Sequence, residues 1–517
     1  MANKHLFRST AAIAATDTRN EAGGVAYSLS AKAALAQLAA TGCLQRTFYS
    51  TGAGQLDQVR TLCAEVDPAF IAKTAIYSRK HGHMKDMPAL LVAHLAVADG
   101  ELCEKVFDRV IDNGKLLRNF VQMIRSGALG RRSLGSRPKR MIQRWLDQRT
   151  DAQLFAASVG NDPSLADILK MVHPRPATAS RRALYGYLIG RPYDLSALPP
   201  EVRAYEDYKA GRTKKAPDVP FQMLTSLDLD ESAWRSIAKN AGWQMTRMNL
   251  NTFARHGVFK DRALTRTITE RLADRREVSR AKAFPYQLMV AYTQVDAAVP
   301  RAVKDAIQDA MEAAIDNVPT FEGPVYVLPD ISGSMHSPAT GVRKGATSVV
   351  RCIDVAALVA AALLRKNKDA EVIPFSDHVV RCQLNARDSV LTNAHKLATL
   401  PSGGTKCSAP LIELNRRGAR GDLVIFVSDN ESWVDGHRGR WQGTAVMEEW
   451  AKYKARNPAA KLVCIDIQPV TSTQAKERAD ILNIGGFSDA VFDVIAAFTR
   501  GELDADHWIG VIDRIVL

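Results

Sequence analysis

The chain has 517 residues, 46% hydrophobic and 24% charged, with a formal net charge of +14 at pH 7. It is too long for a single core and too ordinary in composition for a disordered or low-complexity protein. The N-terminal stretch lacks the apolar segment of a secretory signal, and the longest apolar run, Val355–Leu364, is about half a membrane span, so a cytoplasmic protein without membrane contact is expected.

Seven cysteines (Cys43, Cys63, Cys103, Cys352, Cys382, Cys407 and Cys464) are widely spaced, odd in number and without a CxxC pair. That excludes a zinc ribbon and disfavours a disulfide framework, so they read as small buried apolar residues.

In chain order, residues 27–317 read as helical almost throughout. Apolar positions recur at spacings of three and four: Leu35, Leu38 and Cys43; Ala89, Val92, Leu95 and Val97; Val106, Val110 and Ile111. Short turns such as Asp112-Asn113-Gly114 and Ala197-Leu198-Pro199-Pro200 break the helices. Many moderate helices joined by short turns predict an α-solenoid with degenerate repeats; one large irregular helical domain is the alternative.

This part also holds the excess charge. Residues 321–517 carry 23 Lys+Arg and 23 Asp+Glu, so all fourteen surplus positives lie within 1–320. They cluster between Asn113 and Trp145, where Lys115, Arg118, Arg125, Arg131, Arg132, Arg137, Lys139, Arg140 and Arg144 occur without one acidic residue. A solvated basic face is the plain reading of such a run. The lack of any countercharge points instead to phosphate contact and a polyanion partner.

The pattern changes at Asn317-Val318-Pro319-Thr320, dividing the chain into 1–318 and 319–517. Beyond it strands and helices alternate. Strands are expected at Val325–Leu328, Ala370–Phe375, Leu423–Val427 and Leu462–Ile467, and helices at Val349–Leu364, Ser389–Leu400, Thr444–Arg456 and Ala490–Thr499. Continuous apolar strands such as LVIFV predict a doubly wound α/β domain whose ligands bind at the carboxyl ends of the strands.

Three loops at those ends carry oxygen donors: Asp330, Ser332 and Ser334 after the first strand, Thr405 in SGGTKCS, and Asp429 after LVIFVS. Two carboxylates and three hydroxyls are hard donors that suit Mg²⁺, and the absence of His and Cys disfavours zinc. Helix capping would explain the hydroxyls alone, but not two aspartates that each end an apolar strand. Pro329 lacks a ladder donor, which is unusual inside a sheet strand and tolerable if the strand has ended there.

The DxSxS loop with the later Thr405 and Asp429 resembles the metal-ion-dependent adhesion site of von Willebrand factor A domains. Asn20-Glu21-Ala22-Gly23-Gly24, Tyr49-Ser50-Thr51, Asp167 to Pro176 and Phe284 to Leu288 resemble, in the same order, the module shared by telomerase, Ro and vault proteins (TROVE). Ser428 to Asp435, SDNESWVD, is similar to bacterial Ro-type proteins in particular. The resemblance to the Ro family covers nearly the whole chain.

The resemblance implies a HEAT-like α-solenoid closed into a monomeric ring, with the A-type domain bridging its ends. It implies binding of small noncoding Y-type RNAs on the basic outer surface and of single-stranded ends of misfolded RNAs in the central hole. A role in RNA quality control or processing follows, with an exoribonuclease such as polynucleotide phosphorylase as a partner. His173 resembles an RNA-contacting histidine of the family, with Lys170 and Arg175 beside it. Basic residues just upstream, which vertebrate members have, are missing here, since Thr150–Leu169 contains no Lys or Arg. The Arg137–Arg144 cluster is expected to compensate, and Arg118, Arg131 and Arg132 are expected among the RNA-binding residues.

Two other classes compete. A metal-dependent adaptor would use the metal face to dock a carboxylate-bearing protein and the helices as a scaffold. A Mg²⁺-dependent nuclease would gather more carboxylates than Asp330 and Asp429, and no P-loop, zinc motif or nucleophile elbow is present, so no enzyme is expected.

Overall fold

The computed structural model describes residues 13–281, 285–316, 318–342, 350–435, 443–504 and 506–517. They form two compact units. One unites the segment ending at Val66, the segment ending at Val290, and Ile315–Ile515; the other holds Asp67–Ala283 and Ala291–Ala314.

The first unit opens with β1 (Thr18–Arg19), β2 (Val25–Ser28), α1 (Ala31–Thr41) and α2 (Gly52–Glu65). It continues with β3 (Val325–Pro329), β4 (Ala370–Val372), β5 (Leu423–Ser428), β6 (Lys461–Asp466), β7 (Ser472–Thr473) and β8 (Ile481–Gly485). A parallel sheet has the order β4-β3-β5-β6-β8. Every residue of β3 and β5 is buried, as a strand covered on both faces requires.

The period of two sorts these strands by face. Tyr326 and Leu328, Val424 and Phe426, and Leu462 and Cys464 share one cluster with Trp450 and Tyr453 of the helix Ala445–Arg456. The helix Cys352–Lys366, almost wholly small and apolar, packs against β3, β4 and β5. Val349, the expected start of that helix, lies outside the described residues, as does Asn317 at the boundary. From β3 the chain goes to β4 on one side and then crosses to β5 on the other. The β3/β5 edge is therefore the point where strand order reverses and a crevice opens.

Some expectations need correction. The strand does not end before Pro329, which pairs in register with Val427. Its carbonyl accepts from Phe375 N at 3.1 Å, so pairing on the β4 side runs on past the proline, whose missing N–H costs that ladder one donor. The strand expected over Ala370–Phe375 is shorter, ending at Val372. The helices Ala409–Arg416 and His507–Asp513 and the strand β8 were not anticipated. Helical structure does not begin at 27 either. Tyr27 and Ser28 lie in β2, which pairs antiparallel with β7, and Tyr27 joins the sheet's apolar cluster.

The second unit is helical among its described residues. It begins with α3 (Pro68–Lys80), α4 (Asp86–Ala98), α5 (Gly100–Val110), α6 (Gly114–Arg125), α7 (Ser136–Asp147), α8 (Asp151–Ala157) and α9 (Leu165–Val172). Asp67, Asp99, Asn113, Thr150 and Ser164 cap helix starts with their side chains, which fixes the short turns. In α6 the buried stripe is Leu116, Leu117, Phe120, Val121 and Ile124; in α7 it is Pro138, Met141, Ile142, Trp145 and Leu146. Val97, counted in the α4 stripe from sequence, is 43% exposed because it falls off that face.

None of the seven cysteines forms a disulfide, and all but Cys382 are buried. Among the described residues no helix is long and apolar enough to cross a membrane.

Candidate metal centre and basic surface

The three oxygen-bearing loops converge at the β3/β5 crevice. Asp330 follows β3 and its N–H donates to Val427 O at 3.0 Å, fixing it beside the end of β5. Gly333 N donates to Gly403 O at 3.0 Å, which ties the DxSxS loop to the loop carrying Thr405. The Thr405 carbonyl in turn accepts from Trp433 N and Val434 N, holding the loop beyond Asp429. Asp330, Ser332, Ser334, Thr405 and Asp429 are thus brought together, and each is buried.

Their hydrogen bonds leave capacity for a cation. Asp330 accepts from Ser428 Oγ at 2.6 Å and from Ser332 N at 2.8 Å. Ser332 Oγ and Ser334 Oγ lie 3.3 Å apart. Asp429 Oδ2 is buried and has no hydrogen-bond partner. Burial raises the Asp330 carboxyl above the ordinary carboxylate range, and burial together with Asp330 raises Asp429. A divalent ion among these atoms would relieve both penalties, so the residues present fit the group that the pattern implies. Among the described residues no group of three or more His, Cys, Asp or Glu is arranged to hold a metal, so such a site would rest on two carboxylates plus hydroxyls.

Two further residues belong to this centre. Glu431 is fully buried; its Oε2 accepts from Ala22 N at 3.0 Å while its Oε1 has no partner, and burial and then Asp429 push its carboxyl up to about 8. Tyr49 places its phenol against Ser334, and burial followed by the Asp429 charge raises it. Both residues stand inside motifs visible in the sequence, SDNESWVD and Tyr49-Ser50-Thr51, but only the fold shows their nearness to Asp429. Asn20 Nδ2 donates to Ser432 O at 2.8 Å, clamping the turn before β2 onto the same loop.

The basic residues lie on the helical unit and divide into two kinds. Arg144 of α7 pairs with Glu104 at 3.0 Å and Asp108 at 3.1 Å, and Arg137 lies 3.9 Å from Glu104. The expectation of a run without countercharge is therefore corrected, because α5 supplies the acids from outside the stretch. Arg131 turns its guanidinium to backbone carbonyls, including Ala96 O at 3.2 Å and Ser133 O at 2.6 Å. Arg118, on α6, bonds Ala157 O at 2.9 Å.

Arg132, Arg140, Lys170, His173 and Arg175 are exposed and Lys139 is half-buried; none has an ion pair among the described residues. Gln143 Nε2 donates to Val172 O at 2.6 Å, and Lys139 stands one turn before Gln143 on the same face. This stripe of α7 therefore borders the end of α9, where His173 adopts a left-handed conformation (φ 48°) and closes the helix. Phe284, part of the later motif, lies outside the described residues.

The family model described as the Ro60 vWA domain matches residues 325–499, the stretch that holds β3 to β8 and all five expected ligands. Residues 325–499 resemble a Ro60-type vWA domain. The Ro60-type domain is not the whole of the likeness. The chain is 24% identical over 527 aligned residues to the RNA-binding protein RO60 of Deinococcus radiodurans, covering 94% of this chain and 96% of that one. The crystal structure of the Deinococcus radiodurans RO (RSR) protein matches with a TM-score of 0.62 at 22% identity, covering 92% of this chain and 100% of that one. The likeness to these Ro proteins covers nearly the whole chain, and the helix-rich fold with a C-terminal parallel sheet is shared.

Proposed function

We propose that this chain is an RNA-binding protein of the Ro type. It holds small noncoding, Y-like RNAs on its helical unit and the single-stranded ends of misfolded RNAs in a ring formed by its HEAT-like helices. Its setting is RNA quality control or processing in the cytoplasm. The observation that carries this reading is the set of cations without an ion pair among the described residues, Arg132, Lys139, Arg140, Lys170 and Arg175, with the exposed His173 beside them, along neighbouring helical segments in the part of the chain that holds the whole charge excess. Phosphate contacts of this kind give affinity with little sequence information, so selection rests on RNA shape and on free strands. The name of the Deinococcus relative agrees with it.

The Ro60-type domain binds Mg²⁺ through Asp330, Ser332, Ser334, Thr405 and Asp429. The ion supplies a fixed positive charge at the crevice. The chain itself performs no catalysis, and trimming of bound RNA falls to an exoribonuclease partner. The competing reading is an adaptor that docks a carboxylate-bearing protein at the metal face, through a cation held beside the unpartnered Asp429 Oδ2.

Recovery of the protein from cell lysate at low salt separates the two. Small RNAs that co-purify and leave on raising the salt support the RNA reading. A preparation free of RNA, holding a protein that Asp330→Ala releases, replaces it with the adaptor.

A further inference from the structure

The helical unit contains a cavity of about 590 Å³ between the start of α6, the end of α7 and α8. Lys115, Arg118 and Arg149 line it, with the amide of Gln148. The acid in the lining, Asp112, is already answered by Arg79 at 2.9 Å and Lys80 at 3.4 Å. The wall therefore sets three cations against one carboxylate, Asp112, which acts on Arg149 but is already paired by Arg79 and Lys80, so positive charge is in excess there.

The two arginines are held in place by backbone and ring contacts, not by carboxylates. Arg118 is half-buried; its Nη1 donates to Ala157 O at 2.9 Å, and it has no ion pair among the described residues. Gly160 (φ 111°) makes room for it, since a Cβ there would lie 2.6 Å from Nη2. Arg149 lies over the Trp145 ring at 3.5 Å and donates to Trp145 O at 2.8 Å. Each guanidinium has five N–H donors and spends one or two on these contacts, so forks remain for a planar or tetrahedral oxyanion. Lys115 stands in the first turn of α6, whose aligned amides add a partial positive charge at the same mouth. Structural arginines capping helix ends would explain Ala157 O and Trp145 O, but not why two of them and a lysine ring one open space.

We propose that this cavity is a phosphate site taking the phosphate of a nucleotide, either the end of an RNA strand or a free nucleotide. The site is separate from the Lys139–His173 stripe, and it deepens the RNA reading above without depending on the metal centre. A phosphate seated there is bracketed by Arg118 and Arg149, with Lys115 at the entrance. The recognised group is the anion, so affinity follows phosphate charge and not base identity.

Calorimetric titration of the full chain with AMP, adenosine, and a short RNA bearing or lacking a 5′-phosphate tests it. AMP is expected to bind at least tenfold tighter than adenosine, and Lys115→Glu to weaken AMP at least tenfold. Lys115 is exposed, so its reversal keeps the fold; Arg118→Gln should follow it if the melting temperature is unchanged. A phosphorylated RNA that exceeds AMP identifies RNA as the source, and equal affinities identify the free nucleotide. Equal binding of AMP and adenosine, no AMP binding at millimolar concentration, or AMP binding unaffected by Lys115→Glu would each overturn the proposal. The double variant Lys139→Glu/Arg140→Glu should leave AMP binding intact while weakening a hairpin RNA. Failure of AMP binding with intact hairpin binding thus removes the cavity site alone, and the reverse removes the Ro-type reading.

Discussion

Ala22 N donates to Glu431 Oε2 at 3.0 Å, and the other oxygen of the same buried carboxylate has no partner. One residue thus joins the N-terminal turn to the loop that ends in the proposed metal centre. A bare carboxylate oxygen in a buried site is costly, and either a proton or a nearby cation removes the cost.

The sign of the resulting pH dependence is fixed. The Glu431 carboxyl is raised from 4.5 to about 8 by burial and Asp429. Stability that it contributes is full below its unfolded value and is lost as pH climbs through the folded one. In EDTA, melting temperature should fall between about pH 5 and about pH 9, and Mg²⁺ should restore much of it at the alkaline end. Glu431→Gln keeps an acceptor for Ala22 and should raise metal-free stability near pH 8.5 by something on the order of 1–3 kcal/mol. A flat profile in EDTA, unmoved by Mg²⁺, would contradict this.

Asp429→Asn removes one of the two carboxylates expected to hold the ion. Stabilisation by Mg²⁺ should disappear, while the metal-free variant should be at least as stable as the parent, since a buried charge has gone. Thermal melts with and without Mg²⁺ read both effects; an unchanged Mg²⁺ response places the ion elsewhere.

Gly24 closes the clamp on the Glu431 loop from the other side. A Cβ there would lie 2.0 Å from Ser432 O, a backbone atom that cannot turn away. Gly24→Ala should cost about 2 kcal/mol or more in chemical denaturation. A change within error would mean that the 20–24 turn does not dock on this loop.

These contacts explain what was legible in the sequence and what was not. Asp330-Ile331-Ser332-Gly333-Ser334 and LVIFVS are local patterns, so the metal loops and the central strands could be read directly. The strand ILNIG of β8 is short and runs into Gly485-Gly486, which hid it among turn signals. Arg144 looked unopposed because Glu104 and Asp108 lie a helix away, outside the basic stretch. Tyr49 and Ser334 are distant in the chain, and it takes long-range contacts such as the pairing of β2 with β7, Ala22–Glu431 and Asn20–Ser432 to bring the first residues to the sheet.

The same distinction orders the basic surface. Lys139→Glu with Arg140→Glu should weaken binding of a small hairpin RNA roughly ten- to a hundredfold at moderate salt and flatten the salt dependence. Arg144→Glu sets a like charge beside Glu104 and Asp108, so its main effect should be a loss of about 1 kcal/mol of stability. Filter binding and thermal melts on the two variants check the separation; equal losses of RNA binding would erase it.

His173 offers a test free of folding artefacts. Its φ of 48° suits glycine, so His173→Gly should keep stability within about 0.5 kcal/mol while removing the ring. RNA affinity should fall roughly fivefold, the worth of one hydrogen bond of about 1 kcal/mol. Unchanged affinity would assign the histidine to closing α9 alone.

The central claim is that the helical unit holds RNA through its phosphates and gains from a free strand. Binding of the purified chain to a hairpin with and without a single-stranded 3′ tail, across a salt series, tests it most directly. The expected result is tight binding that weakens steeply with salt and improves with the tail. No binding at low salt, or binding indifferent to both salt and tail, would contradict it.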